Sequence, residues 1–256
     1  MNGIGREELA QGFRALGIEP GMAVLLHSSL SSFGHVEGGA DTVVDALVDA
    51  VGRKGAAVFP TLTGHPGLSP DNPPHIDLRT ATCWTGRIPE TARKRPDALR
   101  SIHPTHSCVA IGQLAEELTS GHEKSVTPCG VLSPYYRVAA QAGRIVLAGC
   151  GLESCTTCHT IEELANVGYH LQTEIAHGTC IGLTGTLVET PCLLHSYEGP
   201  ARDFPALEPL LLDGGLMVTG QIGQGTVRVV DAMGLIETAL ERLRFDRLYL
   251  TSRRTL

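Results

Sequence analysis

Apolar and amphipathic stretches alternate along most of the chain. Amphipathic periodicity predicts an opening helix at Arg6–Leu16 and another helix at Ala40–Val51. Short apolar runs predict strands at Ala23–His27, Ala56–Pro60 and Arg144–Gly149. Strands that alternate with helices form largely parallel sheets, so this pattern predicts an α/β fold.

Residues 61–85 are rich in Pro and show no period, which is typical of a long loop. A loop of this length often covers an active site. Further elements are expected as helices at 86–95, 112–120, 133–141 and Thr156–Val167, with a short strand at 108–111.

Antiparallel strands are expected beyond Gly178. Alternation and the Thr184-Gly185 turn predict a hairpin at Gly178–Val188, and a second pair at 216–221 and 225–230 precedes a last helix at 231–243. The sequence therefore predicts a three-layer α/β fold. It has a largely parallel central sheet with flanking helices and a C-terminal antiparallel portion, in one domain over residues 1–256.

Composition narrows the partners. The net charge of -7 argues against nucleic acid as a partner and allows a cationic one. The chain has no apolar run of about 18 residues and no signal-peptide pattern, so we expect no membrane partner and a cytoplasmic location. The eight cysteines are then expected to be thiols. A homodimer is left open.

The segment Gly149–Glu162 follows a predicted strand, where α/β proteins place their chemistry. His159 and Glu162 are three residues apart and share one face of the predicted helix. The same segment contains a Cys-Xaa-Xaa-Cys-His run, but covalent haem needs an exported context. A zinc site is also left open, with Cys150, Cys155, Cys158 and His159 as its ligands.

Three other segments carry candidate chemistry. The Ser-rich residues 27–39 suit a phosphate at a helix entrance, although a simple capped connection is the alternative. His103 and His106 have metal-ligand character but no third ligand at a supporting spacing, which favours a structural turn. Glu198 follows His195 and is a candidate for orienting a catalytic imidazole.

Six short motifs occur in a characteristic order. In that order they resemble the aminoglycoside 3-N-acetyltransferase family, over a region from Gly21 to about Leu250. The motifs are His27-Ser28-Ser29, Gly38-Gly39, Gly86-Xaa-Xaa-Pro89-Glu90-Xaa-Xaa-Arg93, Arg100-Ser101-Xaa-His103-Pro104-Xaa-Xaa-Ser107, Ser133-Pro134 and Thr156-Xaa-Xaa-His159-Xaa-Xaa-Glu162.

The resemblance implies an enzyme that transfers an acetyl group directly from acetyl-CoA to the 3-amino group of an aminoglycoside. His159 is then the expected general base, because a neutral imidazole with a pKa near ~6.5 accepts a proton at neutral pH. Glu198 is the preferred residue to orient His159, with Glu162 as its rival. Backbone N–H groups or the Thr157 hydroxyl would stabilise the oxyanion.

The resemblance also implies where the two substrates bind. Acetyl-CoA is expected against the 27–39 loop, and the cationic amine is expected to be held by Asp71, Asp77 and Glu162. No metal is expected. The residues expected to contact acetyl-CoA are His27, Ser28, Ser29, Leu30, Ser31, His103 and Ser107.

Cys155 and Cys158 occupy positions that are Asn and Leu in many family members, which leaves the identity of the amine open. Three alternatives stay in view. The same fold could acetylate a different amine, or the Cys150–His159 run could form a metal- or haem-binding module. The third alternative keeps the fold but makes Cys158 an acyl-accepting nucleophile.

Overall fold

The structure is a computed structural model that describes residues 3–254. The α-helices are α1 (Arg6–Ala15), α2 (Ala40–Val51), α3 (Arg87–Ala92), α4 (Ala115–Thr119), α5 (Pro134–Ala140), α6 (Thr157–Ala165), α7 (Glu208–Asp213) and α8 (Ala232–Phe245). The strands are β1 (Ala23–Ser28), β2 (Ala56–Pro60), β3 (His75–Asp77), β4 (Leu99–Arg100), β5 (Cys108–Gly112), β6 (Arg144–Ala148), β7 (Leu171–Ile181), β8 (Leu187–His195), β9 (Met217–Ile222) and β10 (Gly225–Asp231).

A seven-stranded sheet forms the centre of the fold, in the order β4-β5-β2-β1-β6-β10-β9. Strand β1 is parallel to both of its neighbours, β2 and β6, and the outer pairs are antiparallel. The predicted α/β fold is confirmed, with the parallel portion at the three central strands. The predicted hairpin is β7-β8, which forms a second sheet with β3.

Alternating residues of β1 show why the fold has three layers. Val24 and Leu26 are buried against α1 and α2, whereas Ala23 and Leu25 are buried against α5, α6 and α8. A strand buried on both faces reads as a continuous apolar run, which is the pattern that identified β1 in the sequence. Within residues 3–254, no helix combines the length and the apolar character needed to cross a bilayer.

Two elements differ from the pattern-based expectation. The Pro-rich segment is not loop throughout, because β3 pairs in parallel with β7 through His75, Ile76 and Asp77. Three residues are too few to show a period of two. The second element is α7 with the 3-10 turn Phe204–Leu207 before it, where Pro residues near both starts hide the helical pattern.

The carboxyl ends of β1 and β6 lie side by side. Ser28 pairs with Ala148, and the Ser29 N–H donates to the Ala148 carbonyl at 2.9 Å. Gly149 then turns the chain away with φ of 69°. Ligands of open α/β sheets bind outside the carboxyl ends of such strands, so this edge is where the site is expected.

Gly149→Ala should lower the free energy of unfolding by about 2–4 kcal/mol, because it combines left-handed strain with overpacking. A Cβ at Gly149 would collide with the Ser32 side chain. Gly215→Ala is the matched control, since its φ is 67° and nothing lies within 4 Å of its Cβ position. The control should lose only about 1–2 kcal/mol in urea unfolding. Equal losses would contradict the close approach at Gly149.

Candidate active site

A cleft of about 740 Å³ opens at the carboxyl ends of β1 and β6. A neighbouring hollow of about 590 Å³ shares Ser28, Ser29 and Gly86 with it. The cleft is lined, among others, by His27, Trp84, Thr85, His106, Cys150, Glu153, Ser154, Cys155, Thr156, His159, His170, His195, Tyr197, Arg202 and Phe204.

His159 lies on the cleft wall in the first turn of α6 and is bonded to Glu162 one turn later. The Nδ1 of His159 donates to Glu162 Oε2 at 2.7 Å. The side chain of His159 is 25% exposed, whereas that of Glu162 is fully buried. A carboxylate acceptor fixes the ring proton on Nδ1 and leaves Nε2 with a free lone pair. The ring is therefore held in the tautomer that can accept a proton.

Glu162 has two further partners. His170 Nδ1 lies 2.9 Å from the same carboxylate oxygen, and Arg202 Nε donates to the other oxygen at 3.0 Å. Burial opposes ionisation of Glu162, but the hydrogen bonds from His159 and His170 hold its pKa well below the usual range. Glu162 is therefore a buried anion surrounded by donors from three separate parts of the chain.

His159 is packed between other rings. It stacks on His170 with a centroid distance of 4.9 Å and contacts Phe204 edge-on at 5.2 Å. Burial lowers the pKa of His159, and the bond to Glu162 only partly offsets this. Burial also acts to lower the pKa of His170, but its bonds to Glu162 and Glu163 raise it overall. The positive charge of this group therefore resides on His170, and His159 stays neutral.

The carboxylate beside His159 is that of Glu162, which reverses the sequence-based preference for Glu198. Glu198 is exposed, and its backbone N–H donates to Ser196 Oγ at 3.3 Å. The reason is local: Glu162 shares a helix face with His159, while Glu198 lies in an exposed segment after β8.

Thr157 was expected to present its hydroxyl near the reacting atoms, but its side chain is fully buried and does not line the cleft. Thr156 lines the cleft instead, and its N–H donates to His27 Nε2 at 3.4 Å. Neighbouring side chains at a helix entrance point in different directions, which sequence spacing alone did not reveal.

The Ser-rich loop divides between the two hollows as expected for a binding loop, whereas the 100–107 motif contributes neither His103 nor Ser107 to them. His27, Ser28 and Ser29 line the cleft, and Leu30 and Ser31 line the neighbouring hollow.

His103 and Ser107 are buried away from both hollows. His103 Nδ1 accepts the backbone N–H of His106 at 3.0 Å, and Arg100 Nε donates to Ser107 Oγ at 3.1 Å. These residues hold a turn together, which agrees with the structural alternative rather than with contact to acetyl-CoA.

The carboxylates expected to hold the amine are elsewhere. Asp77 is bonded to Arg79 at 2.7 Å, and Asp71 lies in an exposed turn outside the cleft. Glu162 is committed to its three internal donors. Among the described residues that line the cleft, Glu153 is the one carboxylate. A single Glu in a Cys-rich run carries no sequence signal, and neither does Arg202 or His170.

The cysteines near His159 are packing residues. Cys158 is fully buried in the core under α6, and burial raises its pKa well above the usual range. A thiol held uncharged is a poor nucleophile, which counts against acyl transfer through Cys158. Cys155 is 1% exposed in the same core, so the Cys150–His159 run does not present its thiols together in the cleft.

The site is thus a paired histidine and carboxylate at the open edge of an α/β sheet, and known proteins share this fold. The profile of the aminoglycoside 3-N-acetyltransferase family matches residues 25–244. The chain therefore belongs to that family.

Individual relatives agree with this assignment. The aminoglycoside N(3)-acetyltransferase VII of Streptomyces paromomycinus is 36% identical over 182 residues, which cover 63% of this chain and 61% of that relative. The match thus spans about three fifths of the length of the curated relative.

Two solved structures resemble the whole fold. A binary complex of AAC-IIIb with CoASH superposes with a TM-score of 0.80 at 25% identity, covering 95% of this chain and 97% of that one. A complex of the aminoglycoside acetyltransferase AAC(3)-IVa with a gentamicin gives a TM-score of 0.79 at 27% identity, covering 98% and 92%.

Protein stability should fall as the pH drops from about 6.5 towards 4. A histidine whose folded pKa is lowered resists a proton that the unfolded chain binds, so the folded state loses ground below the unfolded pKa. Burial lowers the pKa of His122 to about 4. The histidines with lowered pKa are His27, His103, His106, His122, His159 and His195.

His122→Gln should remove about 3 kcal/mol of this pH dependence, as read from urea unfolding at each pH. His170 acts in the opposite sense, since its raised pKa gives stability that is lost as the pH rises. His177→Gln is the control, because that ring is exposed in the folded protein. An unchanged pH slope for His122→Gln would show that its burial does not oppose protonation.

Proposed function

We propose that this protein is an acetyl-CoA-dependent N-acetyltransferase that modifies the 3-amino group of an aminoglycoside by direct transfer. The observation that carries the proposal is the His159–Glu162 pair on the cleft wall, at 2.7 Å, in a chain of this family. The experiment that tests it is a thiol-release assay with acetyl-CoA and a panel of aminoglycosides that have a free 3-amino group.

The reaction begins when the amine nitrogen attacks the thioester carbonyl of acetyl-CoA. As the N–C bond forms, His159 Nε2 takes a proton from the amine, which becomes neutral in the product amide. The tetrahedral intermediate then collapses, the C–S bond breaks, and the proton passes to the leaving thiolate of coenzyme A. The imidazolium formed on the way is stabilised by the Glu162 carboxylate.

Glu162 is kept ready for this role by its other partners. The bonds from His170 and Arg202 satisfy a carboxylate that would otherwise be unpaired in the interior. They also fix its position, because each bond comes from a different part of the chain. With the Thr157 side chain buried, we assign oxyanion stabilisation to backbone N–H groups at the entrance of α6.

The shape of the site supports an extended co-substrate. The hollow lined by Ser28–Ser31, Gly34–Val36 and Arg87 is continuous with the cleft through the shared residues Ser28 and Ser29. We place the acetyl group beside His159 and the rest of coenzyme A over the Ser-rich loop, where hydroxyls and backbone N–H groups suit its pantetheine arm and phosphates. AAC-IIIb, which has the same fold, has been solved with CoASH.

The amine would enter from the open side of the cleft. Glu153 supplies the negative charge, and the exposed rings of Trp84 and Tyr197 supply flat faces for a sugar ring or an ammonium group. A gentamicin is bound by AAC(3)-IVa. Because a single carboxylate lines the described cleft here, a different or smaller amine is the second candidate substrate.

His159→Ala should lower kcat for acetyl transfer by at least about 10²-fold, because general-base catalysis contributes that order. Glu162→Gln should be more damaging than Glu198→Gln, since only Glu162 bonds to the ring. Steady-state thiol release measures all three, with circular dichroism to confirm folding. A fully active His159→Ala enzyme, or a Glu198→Gln variant slower than Glu162→Gln, would remove the assigned pair from the mechanism.

Glu153→Gln should raise KM for an aminoglycoside by about 2–5-fold at low salt, which corresponds to one exposed charge pair. The difference from wild type should shrink as salt is added, because exposed charges are screened over ~8 Å at physiological ionic strength. Asp71→Asn is the matched control outside the cleft and should leave KM unchanged. If the control raises KM as much as Glu153→Gln does, the amine does not bind where we place it.

A further inference from the structure

Behind the cleft wall lies a buried group that the proposed reaction does not use: His106, Cys129 and His195, with Glu163 beside them. One possible ligand atom from each of His106, Cys129 and His195 lies within 4.8 Å of the other two. Cys129 and His106 are buried, and the His195 side chain is 11% exposed. We call these four residues the His106–Cys129 cluster.

Two polar atoms of this cluster are buried without a hydrogen-bond partner. They are Nε2 of His195 and Oε2 of Glu163, whose side chain is 3% exposed. The other oxygen of Glu163 accepts the Cys129 N–H at 2.8 Å and lies 3.9 Å from His195 Nε2. Buried polar atoms are nearly always paired, so two such atoms around one space point to a missing partner.

The donor set has the chemistry of a zinc site. Two imidazoles, a thiol and a carboxylate are the side chains that bind Zn²⁺, and four ligands complete its tetrahedral shell. Thr105 Oγ1 bonds to His106 Nδ1 at 2.8 Å, which leaves Nε2 to coordinate. An outer partner of this kind orients most metal-binding histidines. The rings of His106 and His195 are already close, with centroids 4.2 Å apart.

We propose that the His106–Cys129 cluster binds Zn²⁺, with His106, Cys129, His195 and Glu163 as its four ligands. Ligand atoms around tetrahedral zinc lie about 3.4–3.7 Å apart, so the separations of up to 4.8 Å require a contraction of about 1 Å. The Cys129 proton leaves to solvent as the metal binds. The ligands come from four distant parts of the chain, which is why the sequence led us to expect no metal.

A second group of histidines competes for the same ion. His159, His170 and His195 also offer nitrogens within 4.8 Å of one another. That group has no thiol, and both His159 and His170 already bond through Nδ1 to Glu162. The mixed nitrogen, sulfur and oxygen set therefore suits zinc better, and the presence or absence of a metal–sulfur bond separates the two sites experimentally.

Cobalt titration tests the proposal on the full-length, chelator-treated protein. Co²⁺ should bind at one ion per chain, with the visible absorption of a tetrahedral site and a thiolate-to-cobalt charge-transfer band in the near ultraviolet. Cys129→Ser should abolish that band. The matched control is Cys180→Ser, since Cys180 is also fully buried but lies beside Thr190 in the second sheet, and it should keep the band.

Two further variants settle which residues bind. His159→Ala should keep the charge-transfer band, whereas Glu163→Gln should weaken Zn²⁺ affinity at least about tenfold in a chelator competition. Circular dichroism checks that each variant folds, and Glu163→Gln decides the matter if Cys129→Ser does not fold. The proposal is overturned if wild type binds no stoichiometric Co²⁺, if the band survives in folded Cys129→Ser, or if Glu163→Gln binds Zn²⁺ as tightly as wild type.

Discussion

The buried charge of Glu162 is the constraint on which the site depends. A fully buried carboxylate is stable only when donors replace the water it has lost, and removing one partner of such a group typically costs about 3–5 kcal/mol. Its three donors are His159 one turn away on α6, His170 just before β7, and Arg202 in the segment after β8. Meeting this one requirement therefore brings together the helix, the second sheet and the chain that follows it.

The same requirement sets the charges of the rings around it. One carboxylate and several buried histidines cannot all be ionised in a poorly solvated region, so the protons go where the acceptors are closest. His170 contacts both Glu162 and Glu163 and takes a positive charge, while His159 and His195, packed against it, stay neutral. A general base needs this neutral state, so the charge arrangement that stabilises the fold also prepares the proposed chemistry.

The sequence predicted those parts of the molecule that depend on local pattern. Strands β1, β2 and β6 were found because a strand buried on both faces is a continuous apolar run. The His159–Glu162 pair was placed correctly on one helix face because a spacing of three is a helical spacing. Local pattern could not show which carboxylate reaches His159, and so Glu198 was preferred although it lies in an exposed segment. His170 and Arg202 were missed for the same reason, since each reaches Glu162 only through the path of the β7-β8 hairpin.

The fold also changes what the cysteines beside His159 mean for specificity. On a helix whose one face lines a cleft, neighbouring positions face different surroundings. Cys158 packs into the core, so its effect is on how α6 sits on the sheet, whereas Cys155 and Cys150 border the cleft. Differences in the amine that this protein accepts should therefore arise from the cleft wall near Cys155 and Glu153, and not from the residue directly before the proposed base.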